Sequence, residues 1–350
     1  MTAFLDEQGI QAVLGEQTFA VEMLAGFAMA ARGGAVLTPH VVRIPSARVG
    51  LFRGHLQEEL VAHRPTSDAD RAEAAALLES FRRDRPRPEY FLRNAKTPRP
   101  QAAWPRKFGR HLRLAITDRH DATHVSPTWL VRLRVGEVAN ALAHRVRSPY
   151  QRPALPPPRP FVLYPLHRQP EASIDVLGAR LSNQVEVVRA MARTLPATHE
   201  LYVKEHPNGL GDRSPAALAE LAALPGVRLI DPGVSTFVLA DAADLVVTVS
   251  GTASYEAALL GRSAATLVPM FFGSILRANG FNPFVGSLAD LLTPRDLDDD
   301  ARVALLADVL ARSGPGLIDN PSFAPAVMDP ANLDAVARAI APHLASRSHR

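Results

Sequence analysis

From residue 161 onward, short apolar runs alternate with segments that have the periodicity of helices. The apolar runs predict buried strands at 161–164, 201–204, 227–230, 245–249 and 264–268. The segments between them predict helices near 177–193, 215–223, 236–242 and after residue 250. Continuously apolar strands separated by helices are typical of a parallel sheet that is covered on both faces. The pattern therefore predicts a complete, doubly wound, Rossmann-like α/β domain over residues 151–350.

The first 60 residues have the pattern of a shorter α/β unit. Two apolar runs at 11–15 and 35–44 predict strands, and the apolar segment 19–31 between them predicts a helix. This is a β-α-β fragment rather than a full sheet domain. We therefore expect residues 1–150 to form a partial N-terminal half.

Residues 61–150 are basic and predict a largely helical region. Helices are expected at 69–84 and 128–147, and the proline- and arginine-rich stretch 94–113 predicts an irregular connection between them. The proline-rich segment 148–160 then predicts a stiff linker, because consecutive prolines favour extended backbone.

Composition narrows the class of protein. The chain of 350 residues has no cysteine, which excludes disulfides, thiolate zinc sites and a cysteine nucleophile. The formal net charge is +4, and nearly all the basic residues are arginine, which suits an anionic substrate. No run approaches the roughly 18 apolar residues of a membrane span, and no signal peptide is recognisable. We expect a cytoplasmic protein.

Polar residues collect where the predicted strands end. The loops 165–173, 204–213, 231–236 and 250–254 each follow a strand of the second domain. In an open parallel sheet, ligands bind outside the carboxyl ends of the strands. Four loops at one edge of one sheet can therefore converge on one ligand.

The loop at Ser250 leads directly into a helix. The first turn of a helix has unpaired N–H groups and suits an anion. Gly251 permits close backbone approach, and the hydroxyls of Ser250, Thr252 and Ser254 can donate to phosphate oxygens. Glu256, one turn later, could meet ribose hydroxyls. The alternative is a capped core helix whose hydroxyls serve only their own backbone.

The loop after the second strand contains a histidine and a rare lysine. His206 can donate to a phosphate and take a charge near neutral pH. Pro207 constrains the turn, and Lys204 is one of only three lysines, which suggests that a compact ammonium is needed there. The alternatives are a hydrogen-bonded loop histidine and a solvated lysine at a strand end.

The loop after the first strand is also unusually polar. His167, Gln169 and Glu171 lie within five positions of one another, whereas Arg168 is expected to face solvent. Either these side chains contact a ligand, or they cap the following helix.

Several common signatures are missing. The chain has no GxGxxG after a strand, no GxxxxGK[ST], no HExxH and no GxSxG, and its histidines lack metal-ligand spacing. The basic segments 81–88 and 99–119 have little aromatic interleaving, so they predict a solvated or membrane-facing surface rather than a nucleic-acid site.

Four segments in this order and spacing resemble a known family: "FVLYPLHRQPEAS", "LYVKEHP", "VRLIDP" and "DLVVTVSGTASYEAALLGR". They are similar to the donor-binding half of the capsule polysaccharide biosynthesis proteins, β-Kdo transferase-like glycosyltransferases with a GT-B fold. The resemblance covers roughly residues 155–345. The segments "AVLGEQTFAVEM" and "HVVRIPSARVGLFRGH" also resemble the end of that family's N-terminal half.

The resemblance implies a metal- and cofactor-independent transferase. Its donor would be a nucleotide-activated sugar, typically CMP-Kdo, and its acceptor a saccharide or a lipid-linked sugar. Capsule-assembly proteins and the inner face of the cytoplasmic membrane would be its partners, and nucleic acid would not. Sugar transfer with retention or with inversion both stay open.

The resemblance also implies roles for individual residues. His206 and Lys204 would hold the donor phosphate together with the loop 250–254, and Glu256 would face the ribose. Gln169 and Glu171 would reach the sugar. Glu16, in the N-terminal half, would serve as base or nucleophile, and the alternative is that it is only a neighbour of the helix N-cap. The catalytic candidates are Glu16, Glu171 and His206.

The N-terminal half departs from the GT-B pattern, because only its last β-α-β unit is recognisable. Three hypotheses therefore stay open. The chain is an active glycosyltransferase, a nucleotide-sugar-binding protein that is non-catalytic or completed by a partner, or a GT-B relative such as a sugar-nucleotide epimerase or polyol-phosphate transferase.

Overall fold

The computed structural model describes residues 1–62, 64–86, 104–120, 125–293, 298–319, 321 and 324–345. The strands are β1 Ala12–Leu14, β2 Ala35–Val41, β3 Arg48–Arg53, β4 Phe161–Pro165, β5 Glu200–Lys204, β6 Val227–Ile230, β7 Leu245–Thr248, β8 Ala264–Thr266, β9 Ala278–Asn279 and β10 Ser313–Pro315. The helices are α1 Thr2–Glu7, α2 Ala20–Ala31, α3 Asp68–Asp84, α4 Trp104–Thr117, α5 Pro127–Val146, α6 Ala172–Asp175, α7 Gln184–Thr194, α8 Pro215–Ala222, α9 Thr236–Ala242, α10 Thr252–Leu259, α11 Leu288–Leu291, α12 Asp299–Arg312 and α13 Pro330–Ala345.

The larger sheet has six strands in the order β6-β5-β4-β7-β8-β9, and every neighbouring pair is parallel. This is the strand order of a doubly wound dinucleotide-binding sheet, in which the order of the strands reverses at the centre of the sheet. The reversal lies between β4 and β7, where Val162 pairs with Leu245. The predicted α/β class and the complete parallel sheet are confirmed.

The side chains of β4 show why its sequence is continuously apolar. Phe161 and Leu163 pack into one hydrophobic cluster, whereas Val162 and Tyr164 pack into a second cluster on the opposite face. Successive side chains of a strand point to opposite faces, so a strand covered on both sides needs an apolar residue at every position.

The smaller sheet has the order β1-β2-β3-β10. β1 and β2 are parallel and flank α2, as predicted, whereas β3 and β10 are antiparallel additions that were not predicted. β10 consists of Ser313, Gly314 and Pro315, a composition that does not predict a strand, and it forms because the chain returns beside β3. The smaller sheet therefore contains two strands, β3 and β10, that the sequence does not indicate.

The helices of residues 61–150 follow the predictions in two of three places. α3 and α5 lie where expected, but the stretch 94–113, predicted to be irregular, is helical from Trp104 onward. Pro105 lies in the first turn of α4, where its missing N–H costs nothing, so it does not prevent the helix. Residues 94–103 of that stretch lie outside the described part of the chain.

The helix predicted at 177–193 is α7, which begins later, at Gln184.

The two sheets share one hydrophobic cluster. Phe52 of β3 lies with its ring centroid 5.4 Å from that of Phe271, and Tyr255 stacks on Phe272 at 4.5 Å. The backbone N–H of Phe271 also donates to the carbonyl of Gln57 at 2.8 Å. This packing joins the N-terminal half to the strand-end loops of the parallel sheet.

Helix α5 packs against the loop that follows β5. Asn140 donates to the carbonyl of Gly211 at 3.0 Å, and His144 Nε2 lies 3.1 Å from the carbonyl of Arg213. Helix α5 thus supports the loop that follows β5. The domain division at residue 150 stays a prediction, and both contacts cross it.

Candidate functional site

Three of the polar loops predicted at the strand ends are joined by direct hydrogen bonds. The Ser250 hydroxyl donates to the Ser173 carbonyl at 2.6 Å, and Arg213 Nη2 donates to the His167 carbonyl at 2.6 Å. The loops after β4, β5 and β7 therefore meet at the central reversal of the sheet. This is the place at which ligands bind in folds of this class.

Gly251 caps the N-terminus of α10 and is closely surrounded. A Cβ atom at this position would lie 3.2 Å from Thr248 Cβ and 3.3 Å from His167 Cε1. Gly251 N–H donates to Thr248 Oγ1 at 3.0 Å. A side chain here would thus crowd the His167 ring. The close approach of the Gly251 backbone to a ligand stays a prediction.

The three hydroxyl residues of this loop have different positions. The Ser250 hydroxyl is buried and bonded to the first loop, as described above. The Ser254 hydroxyl is buried beneath the helix, where it donates to the Ala265 carbonyl at 2.8 Å and lies 2.9 Å from Thr248 Oγ1. Thr252 is half-buried at the first position of α10. The two serine hydroxyls therefore hold loop and sheet together, and Thr252 lies nearest to the surface.

His167 is buried beside this helix terminus. Its Nδ1 atom lies 3.3 Å from Ser173 Oγ, and its Nε2 atom is buried without a hydrogen-bond partner among the described residues. Burial, followed by the nearby His206, Arg43 and Arg213, lowers the pKa of His167 to about 3. The ring is therefore neutral. Buried polar atoms are nearly always hydrogen-bonded, so this nitrogen marks a position for a ligand atom.

His206 lies close enough to affect the ionisation of His167, but its own charge state differs from the prediction. Burial lowers the pKa of His206 to about 4, followed in effect by Lys204, Arg168 and Arg213. The ring is thus neutral at pH 7 rather than poised to take a charge. Its Nδ1 accepts the Asn208 N–H at 3.1 Å, which places the remaining proton on Nε2 as a donor.

Lys204 lies below the loops rather than at their surface. Only 1% of the residue is exposed, and its ammonium donates to the carbonyls of Glu205 at 3.3 Å and Pro232 at 3.2 Å. The compact ammonium predicted here is thus present, and it tethers the loops after β5 and β6. Pro207 is half-buried in the turn that follows His206.

A buried ion pair supports both histidines, and the sequence reading did not single it out. Glu205 Oε1 accepts from Arg213 Nη1 at 2.7 Å and from the His206 N–H at 2.8 Å, while Oε2 accepts from the Tyr150 hydroxyl at 3.1 Å. Arg213 also donates to the carbonyl of His167. Glu205 and Arg213 both belong to the predicted loop 204–213, but their pairing depends on the turn between them.

Gln169 holds the first loop together. Its amide nitrogen donates to the Ser182 carbonyl at 2.9 Å and to Asp175 Oδ1 at 3.2 Å, and its amide oxygen accepts from Gln184 at 2.8 Å. Glu171 is exposed at the N-cap of α6. Desolvation by the surrounding protein is the main cause that raises the pKa of Glu171.

Glu256 lies one turn into α10, at the position predicted for contact with a ribose. The side chain is half-buried, and burial raises its pKa from the usual 4.5 to about 8, against an opposing effect of Arg43. Glu256 is therefore largely protonated at pH 7. A neutral carboxylic acid can both donate to and accept from sugar hydroxyls.

Arg43 reaches this site from the N-terminal half. Its Nη1 donates to the Ser250 carbonyl at 2.8 Å, and its Nη2 donates to Gln57 Oε1 at 2.7 Å. Sequence reasoning did not single out this residue, although it lies in the quoted segment "HVVRIPSARVGLFRGH". It lies 207 positions before Ser250, and no local pattern indicates that the two residues meet.

Glu16 is exposed in the turn between β1 and α2. Its pKa is raised first by partial burial and then by the carboxylates of Glu22 and Asp319. The charged groups that act on Glu16 are thus Glu22 and Asp319, whereas Glu171 and His206 belong to the loops of the parallel sheet.

The described ranges contain no group of three or more His, Asp or Glu side chains arranged to hold a metal ion. No helix within them combines the length and apolar character that a membrane span requires.

Residues 117–273 match the family model described as capsule polysaccharide biosynthesis protein. The matched segment includes β4 to β8 and the loops around His167, His206 and Ser250. This match confirms the resemblance to the capsule polysaccharide biosynthesis family for that segment. The predicted range was 155–345, so the match begins earlier in the chain and also ends earlier. No curated protein matches the chain.

Solved structures are similar to the chain at low sequence identity. KpsC from Thermosulfurimonas dismutans, beta Kdo 2,7 transferase, is 12% identical with a TM-score of 0.40, covering 95% of this chain and 88% of that one. The same organism's KpsC, beta Kdo 2,4 transferase, is 15% identical with a TM-score of 0.37, covering 89% and 81%. The UDP co-structure of MnaA from S. aureus is 16% identical with a TM-score of 0.29, covering 50% and 46%.

Proposed function

We propose that this protein is a glycosyltransferase of capsule or other surface polysaccharide biosynthesis. It transfers a sugar from a nucleotide-activated donor to a saccharide or lipid-linked acceptor. A CMP-sugar is the favoured donor, and Kdo is the first candidate sugar. The observation that supports this proposal most directly is the buried His167 Nε2, which has no partner among the described residues and lies beside the N-terminus of α10.

The donor phosphate would occupy this position. In the tautomer in which the Ser173 hydroxyl donates to His167 Nδ1, the ring proton lies on Nε2, and His167 would present one N–H to the anion, as His206 would. The first N–H groups of α10 and the dipole of the helix would contribute about 0.3–1 kcal/mol, or about 2 kcal/mol when partly buried. Charge that develops on the leaving phosphate would be stabilised by these fixed donors, with no metal or other cofactor in the proposal.

The remaining candidates extend this assignment along the donor. Protonated Glu256 would face the ribose, and exposed Glu171 would face the sugar as acid or base. Gln169 would orient that loop through its amide bonds. Glu16 would act on the acceptor from the N-terminal half. Because a lipid-linked acceptor would lie at the membrane, the protein would work in the cytoplasm, at the inner face of the membrane and beside capsule-assembly proteins.

Thermal unfolding with nucleotides tests the donor site. The purified protein is heated with CMP, UDP, GDP or no nucleotide, and so are the variants His206→Ala and His120→Ala. A ligand at about 100 times its dissociation constant stabilises a protein by about 2.7 kcal/mol. We expect CMP to raise the melting temperature of the wild type and of His120→Ala, whose histidine is exposed, but not of His206→Ala.

The outcomes separate the hypotheses. A shift with UDP in place of CMP would keep the site and change the donor class. Binding without transfer to any acceptor would favour a non-catalytic or partner-completed protein. No shift with any of the three nucleotides would refute the donor site.

A further inference from the structure

Arg43 joins the two halves of the protein at the proposed donor site. One guanidinium nitrogen donates to Ser250, at the end of β7, and the other donates to Gln57 of the N-terminal half. Gln57 is buried and is itself bonded through its carbonyl to Phe271. The planar fork of arginine suits two simultaneous acceptors, which lysine cannot match. The turn at Ser250 is thus held from the N-terminal half.

The backbone around Arg43 is fixed in an uncommon conformation. Its φ angle is +71°, a region that residues with a side chain rarely adopt. The next residue, Ile44, accepts a hydrogen bond from the buried Tyr255 hydroxyl at 3.3 Å. Tyr255 belongs to the first turn of α10, so this bond fixes the Arg43 segment against the same helix terminus. Conformations of this kind persist where the surroundings enforce them, and they are frequent at binding sites.

The charge of Arg43 acts on groups of the loop after β4 and of helix α10. It affects the ionisation of His167 and Glu171 after β4, and of Glu256 on α10. Arg82 of α3 and Arg302 of α12 donate to the carbonyls of Leu259 and Ala258, at the C-terminal end of α10. Asp241 of α9 is paired with Arg85 and Arg262. Arg43 lies at the N-terminal end of α10, where Arg213 is also close because it donates to the His167 carbonyl.

We propose that Arg43 is a positioning residue of the donor site, supplied by the N-terminal half. Its guanidinium holds the turn at Ser250 in place and sets a permanent positive charge beside the position of the donor phosphate. This inference rests on the proposed function. It implies that the donor site is complete only while the two halves are in contact.

Three variants separate geometry from charge. Arg43→Gln removes the charge, Arg43→Lys keeps the charge but removes the fork, and Arg53→Gln is the control. Arg53 lies exposed at the end of β3 and pairs with Glu59. In calorimetric titrations with CMP at pH 7, we expect affinity to fall about tenfold or more for Arg43→Gln, about threefold for Arg43→Lys and by less than about twofold for the control.

A second measurement needs no nucleotide. The pH dependence of stability is compared between each Arg43 variant and the same variant carrying Glu256→Gln, which reports the ionisation of Glu256. Because the positive charge favours the carboxylate, Arg43→Gln raises the midpoint of this ionisation by about half a pH unit or more, whereas Arg43→Lys leaves it nearly unchanged.

The two measurements fail in different ways. If the wild type binds none of the nucleotides, the proposed function is refuted, and the ionisation midpoint alone decides whether Arg43 acts on this site. Unchanged affinity together with an unchanged midpoint in Arg43→Gln would overturn the inference. Should Arg43→Gln not fold, Arg43→Lys decides, since unchanged CMP affinity in that variant would overturn the inference and a loss with an unchanged midpoint would support it.

Discussion

Replacing Glu256 with glutamine should stabilise the protein at neutral pH. The substitution keeps the shape of the side chain and removes its ability to ionise. In the folded protein, burial raises the pKa of Glu256 from 4.5 to about 8, although Arg43 opposes this effect. In the unfolded chain the carboxyl group ionises near its usual pKa. The wild type therefore has to keep a proton in the folded state that the unfolded state releases.

The size of the effect follows from this difference in pKa. As pH rises from about 4.5 to about 8, each unit costs the wild type up to about 1.4 kcal/mol relative to the variant. The side chain is half-buried, so contact with water reduces this figure. We expect the variant to be about 1–3 kcal/mol more stable at pH 7.5 and nearly equal to the wild type below pH 4.5. Above pH 8 the difference stops growing.

Denaturant unfolding at several pH values between 4.5 and 9 measures this difference. Glu79→Gln is the matched control, because Glu79 is exposed on α3 and the same change there should give a small difference at every pH. The reasoning is refuted if the stability difference between Glu256→Gln and the wild type stays constant from pH 5 to pH 8. A difference that decreases with pH would also refute it.

Two further substitutions test the packing of the site. Gly251→Ala brings a Cβ atom to 3.2 Å from Thr248 and 3.3 Å from His167, so we expect a loss of about 1 kcal/mol in stability and a tenfold or greater loss of CMP affinity by calorimetry, and unchanged affinity would contradict this. Arg213→Met leaves Glu205 buried without its partner, which should cost about 3–5 kcal/mol in denaturant unfolding, whereas a cost below about 1 kcal/mol would show that the pair is dispensable.

Much of the parallel sheet was predictable from the sequence, because a strand covered on both faces has to be apolar at every position. The pattern placed β4 to β8 within a few residues and located the polar loops at their ends. The partial N-terminal unit was recognisable for the same reason in β1, α2 and β2. β10 was not, since its pairing with β3 depends on the path of the whole chain and not on its own residues.

The residues of the site were easier to find than their roles. The sequence singled out His167, His206 and Gly251, and the structure brings them together. It also singled out Ser254, Gln169 and Lys204, whose polar groups are bonded within the protein. A residue type next to a strand end indicates that chemistry is possible there, but the direction of each side chain depends on its neighbours in space.

The sequence by itself determined the α/β class, and it predicted both the edge of the sheet at which a ligand would bind and an anion-binding character for the loops. These properties depend on local patterns and on the general rule that parallel strands end at one edge. Only the tertiary structure decided that His206 is neutral, that Glu256 is largely protonated at pH 7 and that Arg43 donates to the turn at Ser250. Burial and long-range contacts set these properties, and both arise only when segments distant in the chain pack together.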